Sequence, residues 1–393
     1  MNLRRRVRVC GLILLMCTLG GCISKPPASS IQIGANQIER YLPLLKNKRV
    51  ALVVNQTSRV ANLHLVDFLL SRQINVVRIF APEHGFRGDH DAGAHVSDDI
   101  DSKTGIQITS IYGKNKKPSK DMMSQVDIVI FDIQDVGVRF YTYISSMHYM
   151  MEAAAQSSTQ FMVLDRPNPN GGFTDGPILD TAYQSFVGMH PIPVLHGMTV
   201  AEIALMIKGE QWITDADKLT LVTIANTHYR RDMLYDLPVA PSPNLPNSQS
   251  VQLYPSLCFF EATPISVGRG TDFPFQVIGH NIVPLGDFSF SPESMPGAAL
   301  RPKLEEQVLL GVDLRHSSQQ GLDLQMFVKA YQQFTASGLN FFERPDFMDK
   351  LAGSNQLRLA IQQGQSAQQI KQSWQPGIQA FKQLRKPYLL YPE

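Results

Sequence analysis

Between Lys48 and about Ile224 the chain repeats one pattern, a short continuous apolar run, a polar break and then a longer mixed stretch. Runs at 49–54, 74–80, 106–111, 126–131, 161–164 and 219–224 are short, rich in β-branched and aromatic residues and bounded by polar residues, so they predict strands. Their lack of polar alternation predicts burial on both faces. Stretches at 63–71, 144–156 and 200–207 predict helices, the last with Thr199 placed as N-cap and Glu202 three residues on. Strands alternating with helices argue for a parallel, doubly covered sheet.

That pattern is α/β and Rossmann-like, but the usual nucleotide fingerprint is missing. Val54-Asn55-Gln56-Thr57-Ser58 follows the first strand where a Gly-x-Gly-x-x-Gly would stand, and no P-loop occurs, so no cofactor is expected. Residues 237–246 read LPVAPSPNLP, a proline-dense connector that cannot be regular structure. A Rossmann-like domain over 36–237 and a smaller α+β domain over 238–393 are expected on either side. The second part reads as a loop-rich segment at 254–279, a strand at 307–314 and amphipathic helices at 322–334, 366–374 and 378–384.

The start of the chain has a different character. Arg4, Arg5, Arg6 and Arg8 precede an apolar run from Val9 to Leu19, too short to span a bilayer, and then Leu19-Gly20-Gly21-Cys22. This predicts a signal peptide over 1–21. Leu-Gly-Gly-Cys is similar to a bacterial lipobox, in which the cysteine is lipidated and becomes the mature N-terminus. A lipidated tether over 22–35 would then anchor the protein to a membrane. Ile23, where an aspartate would favour inner-membrane retention, points to a periplasmic address on the outer membrane. The whole chain, with 44% hydrophobic and 18% charged residues, has an ordinary globular composition. Its formal charge of +2 belongs to the leader, whose four arginines leave −2 behind, and no dense basic patch remains to bind nucleic acid. Cys10 and Cys17 leave with the leader and Cys22 carries lipid, so Cys258 stands alone and no disulfide framework exists.

Polar residues gather at the carboxyl ends of the predicted strands, where open α/β sheets bind ligands. They are Asn55 and Gln56, then Glu83 and His84, then Tyr112, then Asp132, Gln134 and Asp135, then Asp165 and Arg166. Glu83, after Pro82 at an apolar strand end, is placed where desolvation can fit a carboxyl for general-acid work; a helix-capping carboxylate is the bland alternative. His84, His90 and His95 with Asp89 and Asp91 have the ligand types for zinc or manganese, but their spacing matches no compact motif, so no metal site is assigned. Asp132 is the inward-facing carboxylate of the stretch from Asp132 to Tyr143, and Arg139 and Arg166 are anion clamps or members of buried ion pairs. Past the connector, Glu261 is a candidate second carboxylate, and glycines flank Arg269 so that backbone can approach a ligand. No Gly-x-Ser-x-Gly elbow supports a serine hydrolase.

Taken together, Ala81-Pro82-Glu83-His84-Gly85-Phe86-Arg87-Gly88, Phe131-Asp132-Ile133-Gln134-Asp135-Val136-Gly137, Asp165-Arg166-Pro167-Asn168-Pro169 and Val267-Gly268-Arg269-Gly270-Thr271 resemble the NamZ-type exo-β-N-acetylmuramidases. The resemblance runs from about Lys48 to Tyr391. It implies a Rossmann-like domain, a smaller second domain and a cleft between them, and removal of N-acetylmuramic acid from the non-reducing end of peptidoglycan glycan fragments. It also implies Glu83 as catalytic acid. Asp132 and Glu261 are then candidates for the second catalytic role and His84 for tuning Glu83, while Asn55, Gln56, Arg87, Gln134, Arg139, Tyr141, Asp165, Arg166 and Arg269 are candidate substrate contacts. Two flanking carboxylates or assistance from the sugar's acetamide both remain open. Other readings are a metal-dependent amidase or esterase on the same polymer and a non-catalytic wall-binding lipoprotein.

Overall fold

The computed structural model describes residues 31–83, 85–86 and 98–392. The leader, Cys22, His84, Arg87 and the loop residues Asp89, His90, Asp91 and His95 lie outside the described residues. Within them, no helix is long and apolar enough to cross a membrane.

Strands β1 (Val50–Val54), β2 (Val76–Ala81), β3 (Asp99–Ile100), β4 (Gln107–Ser110), β5 (Ile128–Asp132), β6 (Gln160–Leu164) and β7 (Leu221–Ile224) form one sheet in the order β3-β4-β2-β1-β5-β6-β7. All neighbours are parallel except β3, which closes one edge antiparallel to β4. The expected parallel sheet therefore gains a short, exposed edge strand whose sequence carries no apolar run. Chain order across the six parallel strands is third, second, first, fourth, fifth, sixth, the doubly wound arrangement with its switch point between β1 and β5.

Alternation along each strand explains the unbroken apolar runs. Ala51, Val53, Val129, Phe131, Phe161 and Val163 enter one core, and Val50, Leu52, Val54, Ile128, Ile130, Met162 and Leu164 enter the other. Helix α1 (Leu65–Ser71) and the segment holding Ile33, Tyr41 and Leu45 cover the second face. Helices α2 (Tyr143–Gln156) and α3 (Val200–Gly209) cover the first, and that core continues without a break into Phe259, Phe327, Leu351 and Ile378 of the second half. Thr199 and Glu202 form the expected capping box at α3. The helix predicted from 63 starts at Leu65 because Leu63–His64 pairs with Arg59–Val60 in a small hairpin.

Two expectations change. Residues 31–35 are not free tether, since Gln32 bridges Thr227 and the Gly34 N–H donates to the Asp165 carbonyl at 2.8 Å. The segment expected to be loop-rich from 254 begins inside helix α4 (Ser248–Leu257), opened by an Asn247–Ser250 capping box. Pro255 in its last turn leaves the Val251 carbonyl without a helical donor, and Asn170 Nδ2 supplies one at 3.4 Å. The second half also holds a three-stranded antiparallel sheet, β8 (Val277–His280), β9 (Phe288–Phe290) and β10 (Leu309–Asp313) in the order β8-β10-β9. Helices over Gln325–Ala336, Pro345–Ala352, Gln356–Gln362, Ala367–Ser373 and Gln375–Leu384 follow.

Candidate active site

A cleft of about 960 Å³ opens between the carboxyl edge of the sheet and the second half of the chain. Glu83, Tyr112, Thr142 and Phe140 line one side, and Glu261, Arg269, Lys303, Arg344 and Phe347 line the other. Glu83 leaves β2 through Pro82, and both of its oxygens are held. Tyr112, two residues beyond β4, donates its phenol to Oε1 at 3.0 Å, and Thr142 donates its hydroxyl to Oε2 at 2.8 Å. Thr142 occupies the N-cap of α2, but its backbone is αR and its side chain makes no capping bond, so the hydroxyl is diverted to Glu83. Burial, and then the neighbouring Glu83 charge, push the Tyr112 phenol above its ordinary value and keep it a donor.

Across the cleft, Arg269 forks onto Glu261 with Nε–Oε1 at 2.6 Å and Nη2–Oε2 at 3.2 Å, its face over the Phe275 ring. Burial pushes the Glu261 carboxyl up, but Arg269, Lys303 and Arg344 outweigh it and hold it below the usual carboxylate range. Lys303 spends its ammonium on the carbonyls of Phe260 and Thr263. Cys258, on the cleft floor, is kept a thiol by burial.

Most other candidates from the sequence do not reach the cleft; they build the wall behind it. Asp132 and Arg166 are a buried bidentate pair at 2.6 and 3.0 Å, so neither faces substrate. Arg139, fully buried, donates to the carbonyls of Pro177, Ile192 and Leu351 at 2.7, 2.7 and 2.9 Å, and burial without a carboxylate pulls its guanidinium down to about 9. It braces the cleft residue Leu351 and clamps no anion. Asp165, pushed up to about 7 by burial, accepts from Thr199 Oγ1, the Ala201 N–H and Tyr391 Oη, which ties the chain's last residues to the sheet. Gln134 donates to the carbonyls of Asp135 and Pro167, and Asn55 accepts from Thr57.

The switch-point crevice between β1 and β5 is filled by the chain itself. Gln56 Nε2 donates to the carbonyls of Ala240 and Pro241 at 3.1 and 3.2 Å, and Tyr141 donates its phenol to Pro241 at 2.7 Å. The proline-dense connector thus lies where a doubly wound fold would take a nucleotide, and Gln56 and Tyr141 hold it there instead of contacting a ligand. The glycines beside Arg269 also serve the chain's own packing: a Cβ on Gly268 would meet the Val277 side chain at 2.6 Å, and one on Gly270 the Glu293 carbonyl at 2.4 Å. Among the described residues no three of His, Cys, Asp and Glu gather as a metal-ligand set.

Of the residues the sequence singles out within the described residues, the cleft brings together Glu83, Tyr112, Glu261 and Arg269. Thr142, Phe186, Arg301, Lys303 and Arg344 also line it and were not singled out from the sequence. An N-cap-like threonine within two residues of Phe140 was the available signal for Thr142; nothing local marks the basic residues, which arrive through the fold.

Family models for the exo-β-N-acetylmuramidase NamZ match the chain twice, the N-terminal model over residues 50–249 and the C-terminal model over 252–391. The peptidoglycan β-N-acetylmuramidase NamZ of Bacillus subtilis is 40% identical over 375 residues, covering 89% of each chain. Two crystal structures of DUF1343 family proteins from Bacteroides fragilis superpose on it. One, at 45% identity and a TM-score of 0.85, covers 93% of this chain and 100% of its own. The other, at 29% identity and a TM-score of 0.79, covers 92% and 99%.

Proposed function

The chain belongs to the NamZ exo-β-N-acetylmuramidase family, and we propose from that premise that Glu83 is the acid with which it cleaves the β-glycosidic bond of N-acetylmuramic acid in peptidoglycan fragments. It is a glycoside hydrolase of peptidoglycan, releasing N-acetylmuramic acid from the non-reducing end. The observation that carries the catalytic assignment is the double hold on Glu83 at the cleft edge.

Tyr112 keeps its proton and fixes Oε1, while the Thr142 hydroxyl rotates freely between donating to a carboxylate and accepting from a carboxylic acid. Oε2 is therefore the oxygen that carries the proton to the leaving glycosidic oxygen. Glu261, held anionic by Arg269, suits activation of water or stabilisation of positive charge at the anomeric carbon and not proton donation. The acetamide of the substrate competes with it for that role. Phe186, 5.7 Å from the Tyr112 ring, offers an apolar face for a sugar ring.

The test is release of free N-acetylmuramic acid from an N-acetylmuramyl-N-acetylglucosamine disaccharide. Glu83→Gln keeps an acceptor for Tyr112 but carries no transferable proton, so kcat falls by about a thousandfold or more while the protein stays folded. A variant with wild-type turnover removes Glu83 from the acid role.

The same reading extends to location. The four arginines, the apolar run to Leu19 and Leu-Gly-Gly-Cys22 support a lipid-anchored enzyme in the periplasm, attached to the outer membrane. Detergent-phase partitioning of the native protein and its loss in Cys22→Ala test this; an acyl-free wild-type chain overturns it.

A further inference from the structure

Charge among the described residues of the cleft is unequally shared. Among the described lining residues four are basic, Arg269, Arg301, Lys303 and Arg344, against two carboxylates, Glu83 and Glu261. Arg269 is committed to Glu261 and Lys303 to two backbone carbonyls. Arg344 has no ion pair among the described residues. Its guanidinium lies 4.3 Å over the ring of Phe347, which also lines the cleft. Stacking of this kind fixes the plane of a guanidinium through its face and leaves its in-plane N–H groups to bond at the edge. Its backbone is anchored too, since the Arg344 N–H donates to the Ala262 carbonyl at 3.1 Å, next to Glu261. Among the described residues the side chain is thus an oriented fork with no protein acceptor, in a cleft lining with surplus positive charge.

We infer that Arg344, seconded by Arg301, is the subsite for a carboxylate borne by the sugar, namely the lactyl carboxylate of a muramic acid residue. This rests on the muramidase reading and assigns specificity within it. The sugar of that substrate differs from N-acetylglucosamine by the lactyl ether alone, so a site that tells them apart must read that group. A planar carboxylate meets a guanidinium in bidentate fashion. Among the described residues, Arg139 and Arg166 are sealed into the fold and Arg269 is taken, which leaves Arg344 and Arg301 as the arginines of the cleft lining open to it. An amide or ester on the lactyl group removes the charge and one acceptor, so the subsite also selects against muramic acid that still carries a stem peptide.

The experiment compares kcat/KM for a chromogenic β-N-acetylmuramoside and for its lactyl methyl ester, in the wild type and in Arg344→Ala, Arg344→Lys and the cleft-remote control Arg315→Ala. The expected wild type prefers the acid by ten- to a hundredfold. Arg344→Ala brings that ratio to within about threefold of unity, mainly through KM for the acid. Arg344→Lys restores part of it, and Arg315→Ala keeps the wild-type ratio. Equal use of acid and ester by the wild type, or a wild-type ratio in folded Arg344→Ala, overturns the subsite. A wild type that turns over neither compound overturns the muramidase reading itself, which separates the two failures.

Discussion

Tyr112 donates its phenol to Oε1 of Glu83 at 3.0 Å, joining the loop after β4 to the loop after β2 across the mouth of the cleft. Removing that donor frees one end of the carboxyl without touching its chemistry. Tyr112→Phe keeps the packing against Phe186 and loses one hydrogen bond to a charged acceptor, an interaction of about 1.5–3 kcal/mol. Turnover of the disaccharide should fall roughly ten- to a hundredfold, with KM and the thermal midpoint little changed. An unchanged kcat would show that the phenol does not position Glu83.

Asp132 tests the opposite expectation. Sequence reading made it a candidate catalytic carboxylate, yet it sits fully buried against Arg166 behind the cleft wall. Asp132→Asn leaves a buried guanidinium without its counter-charge, which costs about 3–5 kcal/mol. Urea unfolding should show that loss, while kcat per folded molecule changes by less than about threefold. A large drop in kcat at full stability would return Asp132 to the chemistry.

Asp135 supplies a pH test. Burial pushes its carboxyl up to about 7, against the pull of the Gly137 and Val136 N–H groups, and its Oδ1 has no partner among the described residues. With a folded pKa above the unfolded one, its contribution to stability is complete below about pH 4 and is lost as pH rises toward 7. Buried His148 and His196, pulled down by burial to about 4 and about 3, act in the other direction: their contribution is complete above about pH 6.5 and is lost on acidification. The opposed slopes offset one another between about pH 4 and 6.5. Asp135→Asn removes one of them, so its unfolding free energy should gain on the wild type with rising pH by up to roughly 1.4 kcal/mol per pH unit over that window. Parallel urea midpoints for the two proteins at pH 4.5 and 6.5 would contradict this.

The sheet was legible in the chain because its strands are buried on both faces and read as unbroken apolar runs. The short edge strand Asp99–Ile100 was not, since it has neither apolar content nor length. Helix α4 was hidden by Pro255, whose missing N–H is compensated by Asn170 from a distant loop. In the site, Glu83, Glu261 and Arg269 could be proposed from motif and placement. The mistaken clamps shared one cause: arginines and acids after strands suit ligand binding and buried pairing equally, and only burial separates Arg166 on Asp132 from an open guanidinium. Arg344 had no local mark because its meaning comes from Phe347 beneath it and from the cleft in front.

Glu261 and Arg269 form the remaining pair whose role can be divided by experiment. About a quarter of each side chain is exposed, so the pair is worth less to stability than a sealed one. If its purpose is to hold an anionic carboxylate toward the sugar, either Glu261→Gln or Arg269→Ala disables the same unit. Each should lower kcat roughly a hundredfold, and the double variant should be no worse than the weaker single, because residues that act together are not additive. A structural brace behaves differently: thermal midpoints fall in the singles, recover in part in the double variant, and kcat per folded molecule stays near wild type. Measuring kcat and thermal midpoint across the four proteins of this cycle decides between the two, and a kcat within about threefold of wild type in folded Glu261→Gln would leave the substrate's acetamide as the group that assists Glu83.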